Sequence, residues 1–325
     1  STWVNEGLLH ESEARTNLYL NSSQFVSPWS RMSSTTTASA GTSPSGLADA
    51  YRWAGTGNAI LYQNTAYVAG DYTVSAWVKS NGAGEDTFRL YGLNSALSGD
   101  FTATSEWVRY SHTVTSAIVG SQLSGILYGA SQGNVDLLVY GFQIEAGSTP
   151  SSYIPTNAGA TVTRAAETLT VPAANLPYDN TNMSIQMDGK MTYADTGIAA
   201  EVGFTNWFVS GTDNLSSRLD TAGAETGRAY FKQEYAGANY IVEGPADTYS
   251  PSVNVPFNIA SRHGSTFING AVGGTALTAN TTPTTLPDLS ATDLFLGNIF
   301  MGTIGQYRMW SDDLGDVGIT EATLP

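Results

Sequence analysis

Cysteine is absent from the 325 residues, so no disulfide holds the fold and no thiol takes part in chemistry. Charge is scarce: 13% of residues are Asp, Glu, Lys or Arg, and the shortage falls on one sign, with 13 basic against 28 acidic side chains. The formal net charge of −15 excludes nucleic acid as a partner, because phosphate backbones require a basic surface. Only three histidines occur, His10, His112 and His263, far apart and in no ligand-like cluster, which leaves zinc without a recognisable set. No apolar run reaches membrane-spanning length, so membrane insertion is not expected. The opening residues carry neither a basic n-region nor an apolar signal core. The chain begins at Ser1 rather than Met, as expected of a processed product or a fragment of something longer. Helical periodicity is nearly missing too.

What is present is glycine, 34 residues of it, with abundant Ser, Thr, Ala and Asn. That composition fits an extracellular or particle surface better than a cytosolic enzyme. The length allows one large or two ordinary domains, each with a sizeable core. The readable segments are short and alternating: YTVSAWVKS at 72–80, DTFRLYG at 86–92, EWVRYSHTVT at 106–115 and VDLLVYGFQIEA at 135–146. In the first, Tyr72, Val74, Ala76 and Val78 face one way, and Thr73, Ser75, Trp77 and Lys79 the other. Turn chemistry separates the segments in NGAGED at 81–86, LSGD at 97–100 and SQGN at 131–134. The second half repeats the style in ETLTVP at 167–172, NMSIQMDGKM at 182–191, GRAYFKQEY at 227–235 and FNIASRH at 257–263. STFINGAVGG at 265–274 follows, with Asn269-Gly270 expected as a primed hairpin turn or a strand tip. TDLFLGN at 292–298 and MGTIGQYRMWS at 301–311 close the series, after a threonine-rich loop at 275–290.

Many such strands with Gly/Ser turns predict an all-β protein of two consecutive antiparallel β-sandwiches. The boundary is expected near 155–166, where Pro150 and Pro155 flank an extended piece and TNAGAT follows as a joint. This gives domains at 1–158 and 159–325. The stretch GFQIEAGSTPSSYIPT at 141–156 then closes a module rather than building a cleft.

EARTNLYLNSSQFVSPW at 13–29 resembles the opening of carbohydrate-binding-like jelly-roll modules of phage structural proteins. The strands at 72–80 and 106–115, the segment at 141–156 and VTRAAE at 162–167 follow in that family's order. The second half is similar to a laminin-G-like or concanavalin-like sandwich, through FNIASRHGSTFINGAVGGTAL, LFLGN and GTIGQYRMWSDDL. The likeness is vague between 195 and 256. It implies a fibre or receptor-binding component of a phage or phage-like particle, displayed at the virion surface. Reversible attachment to a host surface glycan, contacts with other virion proteins and a homotrimer are the implied partners, although no coiled-coil heptad encodes a trimer. The alternatives are a structural decoration or scaffold protein of the virion and a polysaccharide-degrading enzyme.

Aromatic rings that stack on sugar C–H faces are the natural ligand candidates, and Trp29, Tyr51, Trp53 and Trp207 fall in loop-like or mixed surroundings. The bland reading places each in a core, since Trp is often buried simply to complete one. Trp77, Trp107 and Trp310 are expected in or near cores. Arg15, Asn17, Glu145 and Arg164 are expected to be structural. The two arginines would be struts tied to backbone carbonyls, or to Glu145 or Glu167. No carboxylate spacing fixes a hydrolytic pair: Asp100 and Glu106, or Asp312, Asp313 and Asp316, are merely near in sequence. The last group is read as a turn, with Asp312 or Asp313 capping a brief helix. No cofactor is required. A structural calcium would suit the acid surplus, with 209–223 and 49–53 as the places to look.

Overall fold

The computed structural model describes residues 6–82, 86–93, 96–116, 119–128, 134–157, 159–193 and 201–325. The turns expected at 81–86 and 131–134 lie partly outside the described residues, as does the start of the 195–256 region. The chain divides into two compact units, one of residues 14–165 and one joining the opening segment up to Glu13 with 166–325. Described residues of that opening segment, read above with the N-terminal half, form strand β1 (Leu8–Glu11), which pairs within the second unit.

The unit of residues 14–165 contains β2 (Arg15–Asn17), β3 (Ser30–Gly41), β4 (Ala50–Tyr67), β5 (Gly70–Ser80) and β6 (Thr87–Tyr91). It continues with β7 (Phe101–Thr102), β8 (Val108–Ser116), β9 (Gly120–Tyr128), β10 (Asn134–Ala146) and β11 (Val162–Arg164). All pairings are antiparallel, in the order β7-β6-β9-β4-β10-β5-β8 with β3 also on β4, while β2 and β11 form a separate ribbon. Strand β4 is long enough to serve both ends of the sheet: residues 51–56 pair with β10 and residues 60–67 with β9. Trp53, Val74, Val78, Leu137 and Val139 from one half therefore meet Leu61, Phe88, Leu90 and Ile126 from the other in one core. The alternation of 72–80 is realised as read. Val74, Ala76 and Val78 point inward, which turns Trp77 outward and leaves it half-buried rather than in the core.

The second unit adds β12 (Leu169–Val171), β13 (Asn182–Thr192), β14 (Glu201–Ser210), β15 (Asp213–Asp220), β16 (Arg228–Tyr235) and β17 (Ala238–Glu243). Then come β18 (Val255–Gly264), β19 (Ile268–Val272), β20 (Thr275–Ala276), β21 (Leu294–Leu296), β22 (Met301–Trp310) and the α-helix α1 (Gly315–Ala322). Two six-stranded antiparallel sheets result, β1-β22-β13-β18-β19-β20 and β12-β21-β14-β15-β16-β17. Met183, Met187, Phe257 and Ile259 of the first pack against Phe204, Trp207, Leu215 and Phe231 of the second. Phe204 lies 4.6 Å from Phe257, ring centre to ring centre. Each such fully buried side chain contributes roughly 1.5–3 kcal/mol relative to exposure, so this interior is what holds the unit's two layers together.

Asn269-Gly270 is not a turn. Both residues lie inside β19 and are buried, and the chain reverses at Gly273-Gly274, whose φ angles of 52° and 80° suit glycine. Gly270 is required for packing instead, because a Cβ there would collide with the Phe231 ring. Asn269 donates to Leu277 O (3.0 Å) and Asp316 Oδ1 (2.8 Å), which ties β19 to the helix.

Candidate functional site

A network of buried polar side chains welds the 14–165 unit shut. Asn17 donates to Phe142 O (3.0 Å) and Ile154 O (2.9 Å), and its Oδ1 accepts from the amides of Tyr19 and Ile144. Glu145, fully buried, accepts from Gln143 Nε2 (2.6 Å), Ser151 N (2.9 Å) and Ser151 Oγ (2.6 Å). Gln143 Oε1 takes the Ile154 amide, and Thr156 and Ser22 exchange hydrogen bonds. Arg15 is buried and donates to Ala146 O, and Arg164 Nη1 donates to Ser152 Oγ (2.7 Å). Glu167 belongs to the other unit, where its carboxylate accepts the Glu11 amide at 2.8 Å and stands 3.5 Å from His10 Nδ1. The stretch 141–156 thus closes the unit onto residues 15–22, and every one of these polar groups is engaged internally.

Three of the four aromatic candidates offer no face to a ligand. Trp53 and Trp207 are wholly buried and Trp29 is 4% exposed. Trp29 donates to Leu20 O (2.9 Å) and sits against Tyr19, Phe25 and Phe142. Trp207 donates to Thr292 O (2.9 Å) and meets Tyr178 edge-on. Tyr51 is half-buried with its ring edge-on to Phe25 at 5.0 Å. Period-two geometry explains Tyr51 and Trp53: residues two apart share a face, and here it is the core face. Trp107 and Trp310, expected in or near cores, are half-buried at their outside. Trp107 donates to Thr42 O (2.9 Å), and Trp310 follows the core-packed Met309 and so turns outward.

Asp100, Asp313 and Asp316 among the acidic candidates are engaged as well. Asp100 pairs with Arg89 at 2.5 Å, and that contact holds its carboxyl below the ordinary value. Arg262 grips both oxygens of Asp313 (2.7 Å each) and Asp316 Oδ1 (2.7 Å). Asp313 also accepts the Gly315 amide at the start of α1 (2.8 Å). In the stretch 209–223, Asp213 receives the Ala236 amide and the hydroxyls of Ser210 and Thr212. Among the described residues no group of three or more His, Asp or Glu is placed to hold a metal ion.

An open face remains on the sheet β12-β21-β14-β15-β16-β17. A bulge between Gly203 and Thr205 resets the phase of β14, so that Trp207 points in while Asn206 and Phe208 point out. The registers then align three rows across the strands. One runs Phe295, Asn206, Ser216, Lys232, Ile241; the next Phe208, Asn214, Glu234, Asn239; the third Arg218, Tyr230, Glu243. Neighbouring strands stand about 4.8 Å apart and same-face residues about 7 Å along each strand. Of these, Asn206, Phe208, Asn214, Ser216, Arg218 and Lys232 line a groove of about 380 Å³ over β14 and β15, rimmed by Glu201, Gly211 and Asn298. Gly203 is needed here, because a Cβ would strike Asn298 O, which accepts the Gly203 amide at 2.8 Å.

The groove has distinct ends. Phe208, 41% exposed, stacks on Phe295 (5.5 Å, 19°) at one end. At the other, Arg218 lies 4.0 Å over the Tyr230 ring and 2.9 Å from Glu201. Between them, no hydrogen bond within the described residues engages the side chains of Asn206, Ser216 and Asn298. Asn214 is steered by Glu234 Oε2 (2.9 Å), which also binds Lys232. The sequence hid this site because the bulge breaks the alternation in EVGFTNWFVS. The usable signal was the pair of polar alternating segments around the turn SGTD. A larger hollow of about 860 Å³ lies on the opposite sheet, but Glu6 and Pro325 line it, and its Asp188 is engaged by Gln186 and the Gln306 amide.

The fold places the chain in the class of all-β proteins built from antiparallel sheets packed around apolar cores. No family model and no curated protein matches the sequence. Among solved structures, the CBM40 module of the Ruminococcus gnavus IT-sialidase is similar over 48% of this chain and 96% of its own, at 13% identity and a TM-score of 0.36. The NanB sialidase of Streptococcus pneumoniae is similar over 49% of this chain and 26% of its own, at 14% identity and a TM-score of 0.39. CG-16, a homodimeric agglutinin from chicken liver, is similar over 44% of this chain and 100% of its own, at 9% identity and a TM-score of 0.30. No described helix is long and apolar enough to cross a membrane.

Proposed function

We propose that the protein is a non-enzymatic, reversible glycan-binding component and that the groove over β14 and β15 is its sugar site. One observation carries the reading: uncommitted amide and hydroxyl groups on Asn206, Ser216 and Asn298 share a groove with an exposed aromatic ring on Phe208. Sugar hydroxyls both donate and accept, which suits neutral amides and hydroxyls, while the C–H face of the ring packs on an aromatic. The finer reading makes this a fibre or receptor-binding part at the surface of a phage or phage-like particle. In it the 14–165 unit is a carbohydrate-binding-like jelly roll and the second unit a laminin-G or concanavalin-like sandwich. That reading is supported by the sequence resemblance at 13–29, 72–80, 106–115 and 141–167. Host surface glycan, other virion proteins and further copies of the chain, as a homotrimer, are its partners.

A glycan array read together with a reducing-end assay tests the proposal. The double variant Asn206→Ala/Ser216→Ala removes two ligand hydrogen bonds of about 0.5–1.5 kcal/mol each, and capture is expected to weaken on the order of tenfold. Its unfolding midpoint should stay within measurement error of the parent. Capture without new reducing ends supports the proposal. Unchanged capture by the folded variant rejects the groove, release of sugar rejects a non-enzymatic role, and neither binding nor turnover favours a decoration protein.

A further inference from the structure

We infer that the groove accepts uncharged oligosaccharide segments lying along β14 and β15 and discriminates against carboxylated or sulfated glycans; this rests on the sugar site proposed above. Three cations stand on the sheet face that carries the groove, Arg218 and Lys232 lining it and Arg228 beyond it, and each is already held by a carboxylate. Arg218 pairs with Glu201 (2.9 Å) and Asp220 (3.6 Å). Arg228 pairs with Glu225 (2.7 Å), Glu243 (3.0 Å) and Asp220 (3.4 Å), and Lys232 pairs with Glu234. Five carboxylates thus surround three cations. An anionic ligand would have to displace a carboxylate from its partner and then lie beside it, at like charge. A neutral hydroxyl meets no such conflict, since a paired guanidinium keeps further N–H donors in its rigid fork.

The shape of the groove fixes the direction and length of the ligand. At about 3.4 Å per strand residue, the steps from Asn214 to Arg218 span about 14 Å, room for roughly two to three hexose rings end to end. Phe208 offers the stacking surface at one end, Asn206 and Ser216 the hydrogen bonds in the middle, and the Arg218 guanidinium the far end. Affinity built in this way does not depend on long-range attraction, so added salt leaves it largely untouched.

The test is titration of the full chain with neutral gluco-, galacto- and manno-oligosaccharides of increasing length, and with matched uronate and sulfated oligomers, at low and high sodium chloride. A neutral series is expected to gain affinity up to about three units and then level off, changing less than about twofold between about 50 and about 500 mM salt. Matched anionic oligomers are expected to bind at least about tenfold more weakly. Glu201→Gln, which frees part of Arg218, should narrow that preference at least about threefold. Anionic oligomers bound as tightly as neutral ones, with affinity that falls in salt and disappears in Asn206→Ala, would overturn the charge preference and leave the sugar site standing. Neutral oligomers bound equally by parent and Asn206→Ala/Ser216→Ala would overturn the site itself, as would the absence of capture for every oligomer.

Discussion

Asn17 uses its whole side-chain amide inside the protein, two donors and two acceptor contacts, all without access to water. Asn17→Ala therefore leaves two carbonyls and two amides unsatisfied in the interior, and a loss of about 3 kcal/mol is expected in urea unfolding. Trp53→Ala is expected to cost about 3–5 kcal/mol through the cavity it opens, so any reduced glycan capture would track lost folding. His263 gives a pH signature. It is wholly buried, its Nε2 lies 3.0 Å from Ser261 Oγ, and burial pushes its pKa down from 6.5 to about 3. The folded pKa lies below the unfolded one, so between pH 6.5 and about 3 the unfolded chain takes up a proton that the folded chain refuses. Stability from this residue is intact above 6.5 and falls as the solution is acidified, by about 1.4 kcal/mol per pH unit. From pH 7 to pH 5 the parent should therefore lose about 2 kcal/mol more than His263→Leu in urea unfolding.

At the scale of elements, β1 covers the outer edge of β22, with His10 donating from Nε2 to Gly297 O (3.0 Å) and stacking on Phe300. A chain lacking residues 1–13 should present β22 as an unpaired edge and self-associate in size-exclusion chromatography. The start of helix α1 is held by Arg262, which bridges Asp313 and Asp316 and lies over the Phe267 ring. Arg262→Ala should cost on the order of 2 kcal/mol and raise hydrogen exchange first in residues 315–322. Elements were legible where the alternation was unbroken, as in 72–80, and 135–146 was still legible as one strand although its register shifts between Tyr140 and Gln143. They were misread where long-range packing reset it. Asn269-Gly270 has the composition of a turn, but Phe231 and Asp316 claim those residues for a strand interior. The β14 bulge likewise inverted the faces of Asn206 and Trp207, and no local pattern announces a bulge that only the pairing with β15 defines. Single tryptophans were ambiguous for a related reason, because ring type does not disclose which side of a strand the core lies on.

For the molecule as a whole, the surplus of acid limits which surfaces it approaches without repulsion, and under the proposed function a groove open to solvent would limit how tightly one copy holds a glycan. Attachment would then be a property of copies displayed together. Fusing the chain to a trimerising coiled coil should raise capture on a glycan-coated surface by about 10²–10⁴ over the unfused chain, with no change in the affinity for free oligosaccharide measured per site. Equal capture by fused and unfused forms would show that single sites suffice.

The position of β1 also bears on how the protein is made. Its hydrogen-bonding neighbour, Met301–Trp310, leaves the ribosome some 290 residues later. Residues 14–165 can collapse around their own core long before that, whereas β1 must wait until β22 has been made. A nascent-chain protease assay should accordingly find residues 14–165 resistant while Leu8–Glu11 is still cut, and Leu8–Glu11 protected only once Met301–Trp310 has emerged.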